Sequence, residues 1–200
     1  MSQLKTHQIL QQLEEKGVIR ARELRSQGIH PQYIKQLEQE GQIIRIARGV
    51  YTLANLDLTE HQSLVEVSVR VPRGIVCLLS ALRFHDITTQ APFEVWLAIA
   101  NSARTPSEDL IPLRIVYMSG DSLNCGIEEH LISTRLVKVY NLPKTVADCF
   151  KYRNKIGLDV ALEALTESWH QKKVTMDSLW YYAKICRVQN VMRPYLESLI

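Results

Sequence analysis

Apolar residues recur at helical spacing between Leu4 and Lys16, where Ile9, Leu10 and Leu13 share one face. Gly17 stands where a helix-ending glycine belongs. Val18 and Ile19 form a short apolar stretch, and Ala21 to Ser26 predicts a second, short helix. Gln27-Gly28-Ile29-His30 reads as a turn, with Gly28 free to take a positive φ. Pro31 suits the first position of a third helix, where its missing N–H costs nothing. Ile29 and Ile34 then have the spacing of a hydrophobic staple across that helix start. Gly41 closes the third helix. Its pattern turns Ile34 and Leu37 inward and Gln32, Lys35, Gln36 and Gln39 outward, with Tyr33 at the edge. Gln42 to Ala47 and Val50 to Ala54 predict two strands joined by a tight turn at Arg48-Gly49.

Helix, short helix, turn, helix and hairpin make the order of a winged helix-turn-helix, whose last helix enters the major groove of double-stranded DNA. A polar face of this kind makes base-edge and phosphate contacts. Arg45 and Arg48 place cations on or near the hairpin tip, beside the backbone or the minor groove. The expected DNA-binding residues are therefore Gln32, Tyr33, Lys35, Gln36, Gln39, Arg45 and Arg48. The same pattern also suits a protein-docking module with a merely solvated face.

The pattern changes after Ala54. Asn55-Leu56-Asp57-Leu58-Thr59 sets a boundary between a first domain, 1–56, and a second, 57–200. Thr59 can cap a helix running to Arg70. Ile75 to Phe84 is apolar and reads as helical. Phe93–Ala100, Leu113–Met118, Glu128–Ile132 and Arg135–Tyr140 predict strands. Helices are expected over Pro143–Arg153, Leu158–Trp169, Met176–Arg187 and Val191–Leu199, the last two capped by Thr175 and Asn190. Strands followed by helices indicate an α+β domain with a small, mainly antiparallel sheet and a helical C-terminus.

Charge sharpens this picture once it is divided. The net charge is +3. Residues 1–56 hold eight Lys and Arg against five Asp and Glu, and the rest of the chain holds sixteen of each. The surplus is confined to the predicted DNA-binding segment, as phosphate contact requires. No apolar run is long enough for a membrane span, and the polar start predicts no signal peptide, so a cytosolic protein without membrane partners is expected. Cys77, Cys125, Cys149 and Cys186 are far apart and form no CxxC pair, so neither a metal nor another cofactor is expected.

Catalytic constellations are sparse. There is no glycine-rich phosphate loop, HExxH or GxSxG. Glu94, His85 and Lys144 are the residues an RNA- or nucleotide-processing enzyme would have to use. Between Lys138 and Lys155 stand Lys138, Lys144, Lys151, Arg153 and Lys155, with Asp148 as the one acid. Lys144, Asp148 and Lys151 share a helix face, which reads either as a basic surface for an acidic partner or RNA, or as a solvated face held by its own ion pairs.

Three segments resemble the AbiEi-type antitoxins, the regulator half of type IV toxin–antitoxin and abortive-infection modules. They are residues 17–54, with the Arg48-Gly49 turn followed by Val50-Tyr51; residues 81–99, ALRFHDITTQAPFEVWLAI; and residues 142–165, which begin LPKTVADCFKYRNKIG. The resemblance implies an N-terminal domain that binds operator DNA and represses its own operon. It also implies a C-terminal domain that counteracts a toxin of the AbiEii nucleotidyltransferase type, directly or indirectly. Lys144, Lys151, Arg153 and Lys155 are the expected surface for that neutralisation. No catalytic residue is implied.

Overall fold

The computed structural model describes residues 2–54, 61–90, 92–106, 111–132 and 135–199. The chain divides into two compact units. The first comprises residues 1–73, 106–112 and 130–137, and the second 74–105, 113–129 and 138–200. The expected boundary at 56/57 falls at residues outside those described, as does the Thr59 cap.

The first unit opens with α1 (Ser2–Lys16), β1 (Val18–Arg20), α2 (Ala21–Ser26), α3 (Pro31–Gln39), β2 (Ile43–Ala47), β3 (Val50–Leu53) and α4 (Gln62–Arg70). The strands form an antiparallel sheet in the order β1-β3-β2. Its core joins Ile9 and Leu13 of α1, Leu24 of α2, Ile29, and Ile34 and Leu37 of α3 to Ile19 and Ile43 of the sheet. Burying aliphatic side chains of this size contributes about 1.5–3 kcal/mol each. Gly17, Gly28 and Gly41 all have positive φ, so each ends or redirects the chain where the sequence pattern changes. Ile29 and Ile34 are both buried on either side of the α3 start, as the staple requires. Thr52 is buried on β3 and donates to Gly17 O at 2.7 Å, which leaves its hydroxyl satisfied.

The second unit contains β4 (Ile75–Val76), α5 (Leu78–Phe84), β5 (Val95–Ala100), β6 (Leu113–Met118) and α6 (Asp121–Asn124), while β7 (Ile127–Ile132) and β8 (Arg135–Tyr140) are divided, their residues from 130 to 137 belonging to the first unit. Helices α7 (Leu142–Lys151), α8 (Arg153–Ile156), α9 (Leu158–His170), α10 (Met176–Cys186) and α11 (Gln189–Glu197) follow. The fold is thus mixed α and β with a helical C-terminus.

Three expectations need correction here. Ile75 to Phe84 is not one helix, because Ile75 and Val76 pair with Ala98 and Leu97 of β5 and α5 begins only at Leu78. Sheet pairing overrides the local pattern there. The sheet, ordered β6-β5-β4-β8-β7, is mixed rather than mainly antiparallel. β5 runs parallel to β6 and β4 parallel to β8, while β4 and β5 are antiparallel. The twelve residues between β5 and β6 are enough for the crossover that a parallel pair needs. Finally, Asn190 caps nothing: α11 starts at Gln189, after Val188. Thr175 does cap α10, accepting from Ser178 N at 3.2 Å in a reciprocal capping box.

Candidate nucleic-acid interface

Helix α3 is placed by its start. His30 is its cap, and the ring Nδ1 accepts from Gln32 N at 3.3 Å. Pro31 occupies the first helical position. Ile34 and Leu37 anchor the helix in the core, leaving Gln32, Lys35, Gln36 and Gln39 exposed and Tyr33 half-buried against the core. Gln36 donates to Glu40 Oε1 at 2.8 Å, so its amide is oriented along the helix surface. The four polar side chains form one continuous face, as their spacing predicts.

Arg45 and Arg48 lie on the β2–β3 hairpin. Alternation along β2 breaks near the hairpin tip: Arg45 pairs with Tyr51, Ala47 with Val50, and Ile46 is the extra residue. Arg45 is exposed and Ile46 buried. Such an irregularity re-aims side chains, and here it sends the cation outward and the isoleucine inward.

The hairpin tip also touches the start of α2. Ala21 N donates to Gly49 O at 2.8 Å. Gly49 has a φ of +72°, and a Cβ there would stand 3.8 Å from the Ala21 Cβ. This junction frames a groove of about 570 Å³ lined by Arg20, Arg22, Arg25, Arg45, Arg48 and Arg70, with Tyr51 and no acid among the lining residues. The nearby carboxylate of Glu23 is taken by Arg135, whose Nη2 lies 2.9 Å from its Oε2 and also donates to Val18 O at 3.0 Å. Burial, and then the neighbouring charge of Arg22, hold the Arg20 guanidinium below its ordinary range. Arg70 donates to Ile111 O at 3.0 Å. Cations gathered this closely favour a polyanion, and guanidinium groups match phosphate oxygens in geometry.

The sequence pattern singles out Arg45 and Arg48 as candidates, but not Arg20, Arg22, Arg25 or Arg70, which line the same groove. The first three were counted in the charge surplus. Their spacing along β1 and α2 gave no sign that the hairpin tip would fold against them.

The basic stretch of the second unit is arranged differently. Helix α7 is packed by α5, α9 and α10, and residues 144–150 are all buried. Lys144 is fully buried and pairs with Asp148, also fully buried, while its ammonium lies 4.1 Å from the Tyr140 ring centre. Cys186 Sγ approaches the other oxygen of Asp148 at 3.2 Å. Burial pushes the Asp148 carboxyl up, and Lys144 pulls it back. Lys144 therefore cannot belong to a partner-facing surface. Lys151 and Arg153 are half-buried and Lys155 is exposed. Lys151 donates to Ser122 Oγ at 2.9 Å and Arg153 to Phe150 O at 2.9 Å. Of the residues considered for catalysis, His85 engages Tyr140 O at 2.8 Å and Glu94 pairs with Arg114 at 3.2 Å. Lys144, the third, is committed to Asp148. Each of the three has its own structural partner. Among the described residues no helix is long and apolar enough to cross a membrane.

Comparison with known proteins bears on the first unit. Residues 8–54 match the family model described as "Transcriptional regulator, AbiEi antitoxin". The match runs from α1 to the end of the hairpin, and the AbiEi resemblance is shown over that span. That family is one of regulators and antitoxins. Residues 81–99 and 142–165 lie outside the match. No curated protein matches the chain.

Proposed function

We propose that this protein is a winged-helix repressor that binds the operator of its own operon, a reading supported by the match of residues 8–54 to the AbiEi family model. In this reading α3 lies in the major groove, and Gln32, Lys35, Gln36 and Gln39 face base edges and flanking phosphates. The β2–β3 hairpin is the wing. Arg20, Arg22, Arg25, Arg45 and Arg48 hold the phosphate backbone beside it. The observation that carries the reading is the arginine groove, which has no acid in its lining and adjoins the hairpin. Tyr33 contributes packing rather than readout, since it is half-buried against the core.

The second unit acts as the antitoxin arm, opposing a toxin of the AbiEii nucleotidyltransferase type encoded beside it. The DNA-binding arm sets how much of both proteins is made.

Fluorescence anisotropy on a fragment carrying the operon's promoter tests the regulator. Contact with about five phosphates gives a slope near −4.5 in log K against log salt. Equal affinity for the promoter and for random DNA at physiological salt would sink the reading. Co-expression with the neighbouring toxin gene tests the antitoxin arm, and growth arrest unrelieved by this protein would refute it.

A further inference from the structure

The second unit has a concave surface that DNA binding does not use. A cleft of about 1210 Å³ opens where the parallel strands β5 and β6 end. Asn101 follows β5 and Ser119-Gly120 follows β6. In folds with parallel strands, ligands favour this carboxyl end. The other wall comes from the end of α7, which supplies Lys151 and Tyr152, and the last turns of α10, which supply Tyr181, Lys184 and Arg187. Arg153 also lines the cleft, and Asp121 is the one carboxylate among its lining residues.

Three features go beyond a solvated rim. Lys151 reaches in from a buried helix, and its ammonium is held at Ser122 Oγ, 2.9 Å away, inside the cleft lining. Tyr117 and Tyr181 line the cleft with 43% and 58% of their surface exposed, so aromatic surface is accessible beside the cations. Gly120 has a φ of +56°, and the space a Cβ would take is open, so a ligand can approach the backbone. Cations on a concave wall, with large aromatic faces beside them, are what a phosphate carrying a flat base requires. An acidic protein surface would satisfy exposed Lys184 and Arg187 but would not reach half-buried Lys151. The volume exceeds the usual small-ligand range of about 300–1,000 Å³, leaving room for a nucleotide with its phosphate chain.

We infer that this cleft binds a nucleoside phosphate, with Lys151, Lys184 and Arg187 taking the phosphates and Tyr117 and Tyr181 taking the base. The same chemistry is offered by a free nucleotide and by the end of a single RNA strand.

Isothermal titration of the full chain with ATP, adenosine, inorganic triphosphate and a short oligoadenylate separates these sources. ATP is expected to bind more tightly than either adenosine or triphosphate. The double variant K184Q/R187Q should weaken ATP by about tenfold or more, since it removes two charge-assisted contacts. Y181A should weaken it by about five- to a hundredfold through lost stacking. All three positions are exposed, and thermal melts confirm that the variants fold. Promoter affinity should stay unchanged in both variants. If the oligoadenylate binds more tightly than ATP and responds to the same variants, the ligand is a strand end; the reverse order makes it a free nucleotide. No ATP or oligoadenylate binding up to about 1 mM would overturn the inference. So would binding that ignores these variants and is lost instead on R22A/R48A. Promoter binding lost while ATP binding persists would refute only the regulator reading.

Discussion

Helices α3 and α7 look alike as sequence patterns and end in opposite environments. Both begin next to a proline, carry apolar residues on one side and polar or charged residues on the other, and suggest a working surface. In α3 the polar side stays in water, because α1, α2 and β2 pack on the apolar side and leave the other side exposed. In α7 the neighbours close around the helix, and Lys144 and Asp148 are taken inside as a pair. An amphipathic pattern states which side prefers water. It does not state whether water will be there. The cost of burying charge was met in α7 by pairing, and the pair cannot serve as a surface.

The largest expected effect tests this contrast directly. Lys144→Met leaves Asp148 buried without its cation and should cost about 3–5 kcal/mol, whereas Lys35→Ala on α3 should stay within about 0.5 kcal/mol. Urea denaturation of both variants measures the difference. The double change Lys144→Met with Asp148→Leu should recover much of the loss, because removing both charges also removes the desolvation penalty. Equal, small costs at Lys144 and Lys35 would break the contrast.

A second test concerns function rather than stability. Arg22→Ala, Arg25→Ala and Arg48→Ala together should make the salt slope of promoter binding shallower by about 2–3, since each phosphate contact contributes about 0.9. Anisotropy at several salt concentrations reads this out. The same measurement on Lys155→Ala in the second unit should show no change in slope.

Glu66 sharpens the comparison through pH. It is buried on α4, and burial pushes its carboxyl up to about 7 from an ordinary 4.5. The folded state therefore holds the proton more tightly than the unfolded chain. This contribution is complete below pH 4.5, fades as pH rises toward 7 and is gone above it. Glu66→Gln should stabilise the protein by about 1–3 kcal/mol at pH 8 and change little at pH 4.5. Thermal melts across this range check the sign, and a constant difference at all pH values would refute it.

The smallest effect is at a cap. Thr175→Ala removes the oxygen that accepts from Ser178 N and should cost about 1 kcal/mol. Denaturant midpoints with an unchanged m-value would report it.

Much of the first unit was readable along the chain because its signals are local. Pro31, the Ile29–Ile34 staple, Gly17, Gly28, Gly41 and the Arg48-Gly49 turn act within a few residues, through allowed backbone angles and short-range packing. The exposed α3 residues follow from the same periodicity. The Thr175 cap and the strand Leu113–Met118 were legible for similar reasons.

What needed the tertiary structure is everything that depends on distant segments meeting. The arginine groove forms because the hairpin turn at Gly49 bonds to Ala21, bringing Arg45 and Arg48 to Arg20, Arg22 and Arg25. Ile75-Val76 became a strand because β5 and β8 were there to pair with it. The charges of α7 went inside because other helices covered them, and the cleft took its cations from α7 and α10, more than thirty residues apart. Sequence by itself determined which residues prefer water, where the chain turns and that positive charge gathers in the first quarter. Three-dimensional packing decided which charges reach solvent and which stand together, because burial and proximity are properties of the assembled chain and not of its local pattern.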